Sequence, residues 1–284
     1  MQRHGRSRRS SLRWVVLGLA GLAFLLGLWA FWLEPRRLVF HRVTLELPHW
    51  PEPLRGFRVA LMSDLHVGSL YWDTARLREL VEETNRQQPD LVLLAGDYTI
   101  NGVKFGTWTS PEDIAEVLGG LRATHGTLAV LGYHDWWNRR RRIRAAFNAR
   151  GITVLEDEVQ AVSTEKGRFF VVGLKDAMMG HPDIPGTIAQ VPAGEPFLVL
   201  VHEPDVFPNV DARASLTLAG HTHGGQVWLP FFGRPVVPSE YGQRYAVGHI
   251  VEGGRHLYVT SGVGTSIAPV RFGVPPEVVV LELR

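Results

Sequence analysis

The chain has 284 residues, 45% of them hydrophobic and 20% charged, a balance that excludes a disordered, collagen-like or low-complexity protein. It has no cysteine, which removes disulfides, iron–sulfur clusters, thiolate zinc sites and cysteine nucleophiles; any metal must be held by carboxylate oxygen and imidazole nitrogen, and 12 histidines are available. The net charge of +2 is unevenly spread: Arg3, Arg6, Arg8, Arg9 and Arg13 lie in the first 13 residues, leaving 25 basic and 28 acidic side chains in the rest. A body with net charge −3 carries no general basic field for a polyanion, so no nucleic-acid partner is expected.

Trp14 to Leu33 reads WVVLGLAGLAFLLGLWAFWL, 20 residues without a charge. About 20 apolar residues suffice to cross a hydrocarbon core of about 30 Å. Trp14, Trp29 and Trp32 lie near its ends, where indole favours the headgroup zone. A single transmembrane helix over 14–33 behind a basic tip (1–13) is expected. The rival is a cleaved export signal, since Ser7-Arg8-Arg9-Ser10-Ser11-Leu12-Arg13 resembles a twin-arginine signal, with Ser11 where an aromatic is usual. No A-x-A-like site follows Leu33, which favours an uncleaved anchor. Arg36, Arg37 and Arg42 follow the helix against five arginines before it, so the count places the N-terminus in the cytoplasm and the body outside, on a bacterial cytoplasmic membrane.

Residues 38–284 read as one domain. Arg58–Met62, Asp90–Ala95, Leu128–Leu131 and Ile152–Leu155 read as strands, and Ala75–Gln87, Pro111–Arg122 and Arg139–Arg150 as helices, with Ser110 capping the second and Gly151 closing the third. The second half is strand-rich: Phe169–Val172, Phe197–Val201, Leu216–Ala219, Leu257–Thr260 and Val278–Leu283 are separated by Pro- and Gly-rich loops. Two stacked mixed sheets flanked by helices are therefore expected in an α/β domain.

The candidate chemistry sits directly after short apolar strands. Asp64 and His66 follow RVALM, Gly96-Asp97 follow DLVLLA, His134-Asp135 follow LAVLGY, His202 follows FLVLV, and His221-Thr222-His223 follow LTLAG. Strand C-terminal ends are where α/β sheets gather ligands, so five such ends can converge on one crevice. Any one of these pairs is commoner as a turn with a bonded side chain; all five in order point to a shared metal site.

In order, Asp64-x-His66, Gly96-Asp97, Gly132-Tyr133-His134-Asp135, His202 and Gly220-His221-x-His223 resemble the calcineurin-like metallophosphoesterases, whose pattern is D-x-H, G-D, G-N-H-[DE], H and G-H-x-H. GHTHGGQ at 220–226 and TSGVGTS at 260–266 resemble the bacterial branch with one N-terminal membrane segment. The resemblance implies two divalent ions (Mn²⁺, Fe²⁺ or Zn²⁺), one held by Asp64, His66 and His223, the other by His202 and His221, with Asp97 bridging. It further implies that His134 contacts phosphate and leaving group, that Asp135 orients His134, and that metal-bound hydroxide cleaves a phosphomonoester, phosphodiester or pyrophosphate. A lipid-linked substrate is consistent with the anchor; UDP-2,3-diacylglucosamine pyrophosphatase of lipid A biosynthesis is the alternative, and it needs a cytoplasmic site.

Tyr133 departs from the pattern, standing where the family has Asn. A phenol is rigid and reaches farther than a short amide, so a weakened second metal is expected. A silenced, non-catalytic metal-binding membrane protein is the reading from another class. Trp136-Trp137-Asn138 and the following arginines, Arg139 to Arg142 and Arg144, read as a solvated helix face beside core tryptophans, with a basic, headgroup-attracting lip as the rival. Trp228–Phe232 reads equally as a loop packed over the second sheet or as one touching substrate acyl chains or bilayer, and Gly262-x-Gly264 as a tight turn.

Overall fold

The structure, a computed structural model, describes residues 5–100 and 103–284. Arg3 and the side chains of Arg6, Arg8, Arg9, Trp137 and Asn138 lie outside the described residues. Helix α1 (Gly5–Leu28) continues into a π-helical turn at Trp29–Leu33. The apolar stretch Leu12–Arg36 is the one helix among the described residues long and apolar enough to cross a membrane.

The body follows as β1 (Val39–Leu45), β2 (Phe57–Met62), α2 (Thr74–Arg86), β3 (Leu91–Leu94), α3 (Pro111–Leu118), β4 (Thr127–Ala129), α4 (Tyr133–Asn148), β5 (Ile152–Val154), β6 (Glu158–Thr164) and β7 (Gly167–Gly173). The chain then forms α5 (Ile184–Ile188), β8 (Phe197–Leu200), β9 (Leu216–Ala219), β10 (Gly248–Glu252), β11 (Arg255–Val259) and β12 (Glu277–Leu283). Two six-stranded mixed sheets result, ordered β1-β12-β2-β3-β4-β5 and β10-β11-β9-β8-β7-β6.

Each central strand is apolar on both faces because each sheet is covered twice. Val59, Leu61, Leu91 and Leu93 meet Val171, Leu198, Leu200, Leu216 and Leu218 of the opposite sheet. Their neighbours Ala60, Met62, Val92 and Leu94 pack outward on Leu77 and Leu80 of α2, Ile114 and Leu118 of α3, and Ile143 and Phe147 of α4. The outer face of the second sheet is covered by Ile184 and Ile188 of α5 with Val206, Phe207 and Tyr245. This is the expected four-layer α/β sandwich.

Three local expectations need correction. Helix α4 begins at Tyr133, not Arg139, so Tyr133, His134 and Asp135 form its first turn instead of a strand-end loop. Helix α3 stops at Leu118, short of Arg122, where Gly119 and Gly120 follow. Strands β1, β6 and β10 were not foreseen; they lie at sheet edges, and their half-exposed faces carry mixed polar residues without a core-like apolar run.

Candidate metal centre

All five candidate segments meet where the C-terminal ends of the two sheets abut. Asp64 and His66 leave β2, Asp97 leaves β3, His134 opens α4 after β4, His202 leaves β8, and His221 and His223 leave β9. Backbone bonds lock these turns together: Asp64 N–H donates to Gly96 O, His66 N–H to Asp97 O, and Gly220 N–H to His202 O. Asp64, His66, Asp97, His221 and His223 all adopt positive φ, between 41° and 68°. Left-handed backbone is uncommon for non-glycine residues and gathers at functional sites, where the surrounding fold holds it. Gly132 permits a close approach, since a β-carbon there would stand 2.4 Å from Asp97 Oδ1 and 2.7 Å from the His202 ring.

Three sets of side chains each bring ligand atoms within 4.8 Å of one another: Asp64, His66 and His223; Asp97, His202 and His221; and His66, Asp97 and His134. His66 Nε2 faces His223 Nε2 at 3.2 Å, and His221 Nδ1 faces His202 Nε2 at 3.3 Å. His202 turns its Nδ1 to Ala95 O at 2.7 Å, which directs Nε2 toward Asp97 Oδ2 at 3.2 Å. His66 uses Thr99 O, 3.3 Å from its Nδ1, in the same way.

Burial holds the His66 imidazole down at about 3 and His221 at about 4, and burial with the neighbouring His66 depresses His223 as well. Thr99 O can only accept, so the neutral His66 ring carries its proton on Nδ1 and turns a lone pair on Nε2 into the cluster. Asp64 Oδ1 is buried and has no hydrogen-bond partner. A divalent cation would satisfy that oxygen and the facing nitrogens together, so these residues fit the group. Burial raises Asp64 to about 6. It opposes charge on Asp97 and His202 also, but the two are mutually stabilised, holding Asp97 well below and His202 well above their ordinary values.

His134 donates its backbone N–H to Asp97 Oδ1 at 2.9 Å, and its ring lies 4.8 Å from that of His66. Its Nε2 is 4.0 Å from Asp97 Oδ2, while its buried Nδ1 has no hydrogen-bond partner. Asp135, expected to orient His134, makes no hydrogen bond to the His134 ring. Its carboxylate points the other way and accepts the N–H groups of Asp97, Tyr98, Thr99 and Gly132 at 2.8–3.2 Å. The first turn of α4 projects successive side chains about 100° apart, so neighbours 134 and 135 cannot serve the same face. Burial and the Asp97 charge push Asp135 up to about 7, against the pull of these donors.

The family profile for calcineurin-like phosphoesterases matches residues 57–225. The chain is 32% identical over 284 residues to YkuE, an uncharacterized metallophosphoesterase of Bacillus subtilis, covering 98% of each chain. It belongs to the calcineurin-like phosphoesterase family. A phosphodiesterase of Escherichia coli, YaeI, is 33% identical over 259 residues, covering 89% of this chain and 88% of its own. Among solved structures, a 5'-nucleotidase precursor from Thermus thermophilus superposes over 73% of this chain at 14% identity with a TM-score of 0.46, and the match covers 49% of that chain. Family membership makes the chain a phosphoester hydrolase that uses divalent metal ions.

Seen as a family member, the chain keeps every other position of the pattern around Tyr133, whose ring lies 5.1 Å from that of His134. The arginine run is mostly spent on ion pairs: Arg140 and Arg144 with Glu156, Arg144 also with Glu158, and Arg142 with Glu112. Arg139 instead stacks on Trp108 at 3.7 Å. Gly262-x-Gly264 is more than a turn. At Gly262, with φ of +68°, a β-carbon would stand 2.7 Å from that of Asp64, and Gly264 N–H donates to Asp64 O.

Sequence reasoning missed Arg271. It is fully buried, and its guanidinium donates to the carbonyls of Ser261, Gly262, Gly264, Val274 and Pro275, clamping the loop behind Asp64 and His66. A lone arginine between Val270 and Phe272 carries no local signal; only burial reveals it.

Proposed function

We propose that this chain hydrolyses a phosphodiester, lipid-linked in its natural form, at a two-cation centre on a domain anchored to a bacterial cytoplasmic membrane by a single helix. The observation that carries the reading is the convergence of Asp64, His66 and His223 in one cluster and Asp97, His202 and His221 in another, with His66 and Asp97 brought together in a third that links them. The name of the E. coli relative favours a diester over a monoester or pyrophosphate. Asp64, His66 and His223 would hold one cation, His202 and His221 the other, with Asp97 between them. The cations, when bound, would neutralise phosphate charge and make water a nucleophile at neutral pH.

The chain's own residues supply the rest. His134 stands at the rim of the cluster with its Nε2 toward Asp97, placed to hydrogen-bond a phosphate oxygen or give a proton to the departing alkoxide. The N-terminus of the 16-residue α4 points at the same place and favours negative charge there. Asp135 holds the loop that presents Asp97. The apolar stretch Leu12–Arg36 supports the anchor, and the arginine asymmetry supports an extracytoplasmic site.

Turnover of bis(p-nitrophenyl) phosphate by the purified chain, with and without Mn²⁺, Fe²⁺ and Zn²⁺, tests the reading. We expect metal-dependent hydrolysis, and a fall of about 10²–10⁴ in kcat for His134→Ala on an alkyl ester with a poor leaving group. The loss should be smaller with p-nitrophenolate, which needs no proton. Absence of turnover by the native chain with every metal would overturn it in favour of a non-catalytic metal-binding protein.

A further inference from the structure

The most exposed large apolar side chains outside the N-terminal helix belong to loops that surround the metal centre. Phe105 is 77% exposed, Ile267 and Val236 72%, Phe232 80%, and Phe231 entirely. Phe105, Phe231 and Ile267 also sit at positive φ, between 62° and 70°. Bulky residues avoid that conformation, and water gives no reward for exposing them there.

These loops form one bonded network with the metal-site turns. Thr107 N–H donates to Gly68 O and Ser69 N–H to His66 O, which ties the loop of Phe105 to the segment after His66. Lys104 N–H donates to Ile267 O, and Trp228 N–H to Phe272 O, which joins the loops bearing Phe105, Ile267 and Phe231.

The apolar helix ends on this same rim. Arg271 N–H donates to Ala30 O at 3.0 Å, and the Tyr71 hydroxyl donates to Phe31 O. Ala30, Glu34 and Pro35 are buried, so the helix end is seated on the body without a free linker. Arg36 stacks over Trp32 at 3.4 Å and Tyr71 at 4.5 Å. Trp29 and Trp32 mark headgroup depth for a spanning helix, and loops fastened within one turn of them are held near that depth. Lys104, Arg139 stacked on Trp108, and Arg36 add the cationic flank that anionic headgroups attract.

We infer that Phe105, Phe231, Phe232 and Ile267 form a rim that inserts into the bilayer surface, holding the metal centre against the headgroups. The site then receives phosphodiesters from the plane of the membrane. The inference rests on the membrane reading of the helix given above, and the occupant of the rim is the lipid surface.

The absence of native cysteine permits a clean test by single spin labels on the full chain in phosphatidylcholine/phosphatidylglycerol nanodiscs. Labels go on Phe105→Cys, Phe231→Cys and Ile267→Cys, with Leu22→Cys inside the helix and Val251→Cys on the exposed face of β10 as references. Rim labels should collide more with lipid-soluble oxygen than with an aqueous nickel chelate, as at Leu22→Cys, while Val251→Cys shows the reverse ratio. Rim labels that behave like Val251→Cys, with Leu22→Cys in lipid, overturn the rim alone; Leu22→Cys open to nickel overturns the membrane reading as well. Rim labels shielded from both reagents, with a doubled mass in the disc, would mean a second copy covers the face and would also overturn it. Turnover of bis(p-nitrophenyl) phosphate in the same discs reports the phosphoesterase reading separately, since no labelled residue is placed in the metal centre.

Discussion

The Asp135 carboxylate accepts the Asp97 backbone N–H at 2.8 Å, fastening the first turn of α4 to the loop that presents the Asp97 carboxylate to the histidine cluster. Four backbone donors converge on a fully buried carboxylate, an arrangement that only a charged or strongly polar acceptor can satisfy.

Asp135→Asn replaces one accepting oxygen by an amide that confronts N–H donors with its own. The expected cost is about 2–3 kcal/mol of stability. Metal content should fall with it, because Asp97 loses its support. Thermal unfolding and metal analysis check this; full metal content with a reduced kcat would instead indicate a role on His134.

Tyr133→Asn restores the short amide of the family pattern at the N-terminus of α4. Metal per chain should rise, and Mn²⁺-supported turnover with it. Elemental analysis of both proteins prepared identically decides the matter, and equal metal content with equal rates would remove Tyr133 as the cause of a weakened second cation.

Arg271→Lys keeps a charge but cannot reach five carbonyls from one ammonium group. Burial already lowers the Arg271 guanidinium to about 10, and an amine in its place would lose its charge far more readily. The expected destabilisation is about 2–4 kcal/mol. The loop behind Asp64 should loosen, seen as faster hydrogen exchange at Val263 and Gly264, whose N–H groups donate to Ser63 O and Asp64 O.

Metal affinity should fall in acid. Cation binding must displace the proton that Asp64 holds below about 6 in the metal-free chain, and the proton that Asp97 stabilises on His202. Each displaced proton weakens binding about tenfold for every pH unit below the group's pKa. From pH 7 to pH 5 the apparent Mn²⁺ affinity should therefore drop at least about tenfold, while His66 and His221, held at about 3 and 4, add little. Calorimetric titration at the two pH values measures it.

Much of the site was legible because its residues sit at fixed places in a simple grammar. Each candidate ligand follows an apolar strand, and the strands Phe57–Met62, Leu91–Leu94, Phe197–Leu200 and Leu216–Ala219 are too hydrophobic to lie anywhere but between covered layers. The edge strands β1, β6 and β10 were not legible, since half-exposed edges carry no such pattern. The start of α4 was misplaced because Tyr133-His134-Asp135 has little helical appeal alone, and Gly132 offers no side chain as a cap; the turn is held by the reciprocal bond of Asp135 to Gly132 N–H.

The sequence by itself determined the family, the two-sheet class, the apolar helix and the candidate residues that the fold gathers into one cluster, because local composition and order carry that information. Tertiary structure decided what Asp135 binds, where Arg271 is buried, and that the helix end and the exposed loops share one rim. Those depend on contacts between segments up to about 240 residues apart, such as Arg271 with Ala30, and no local pattern of side chains encodes which distant backbone group will meet them.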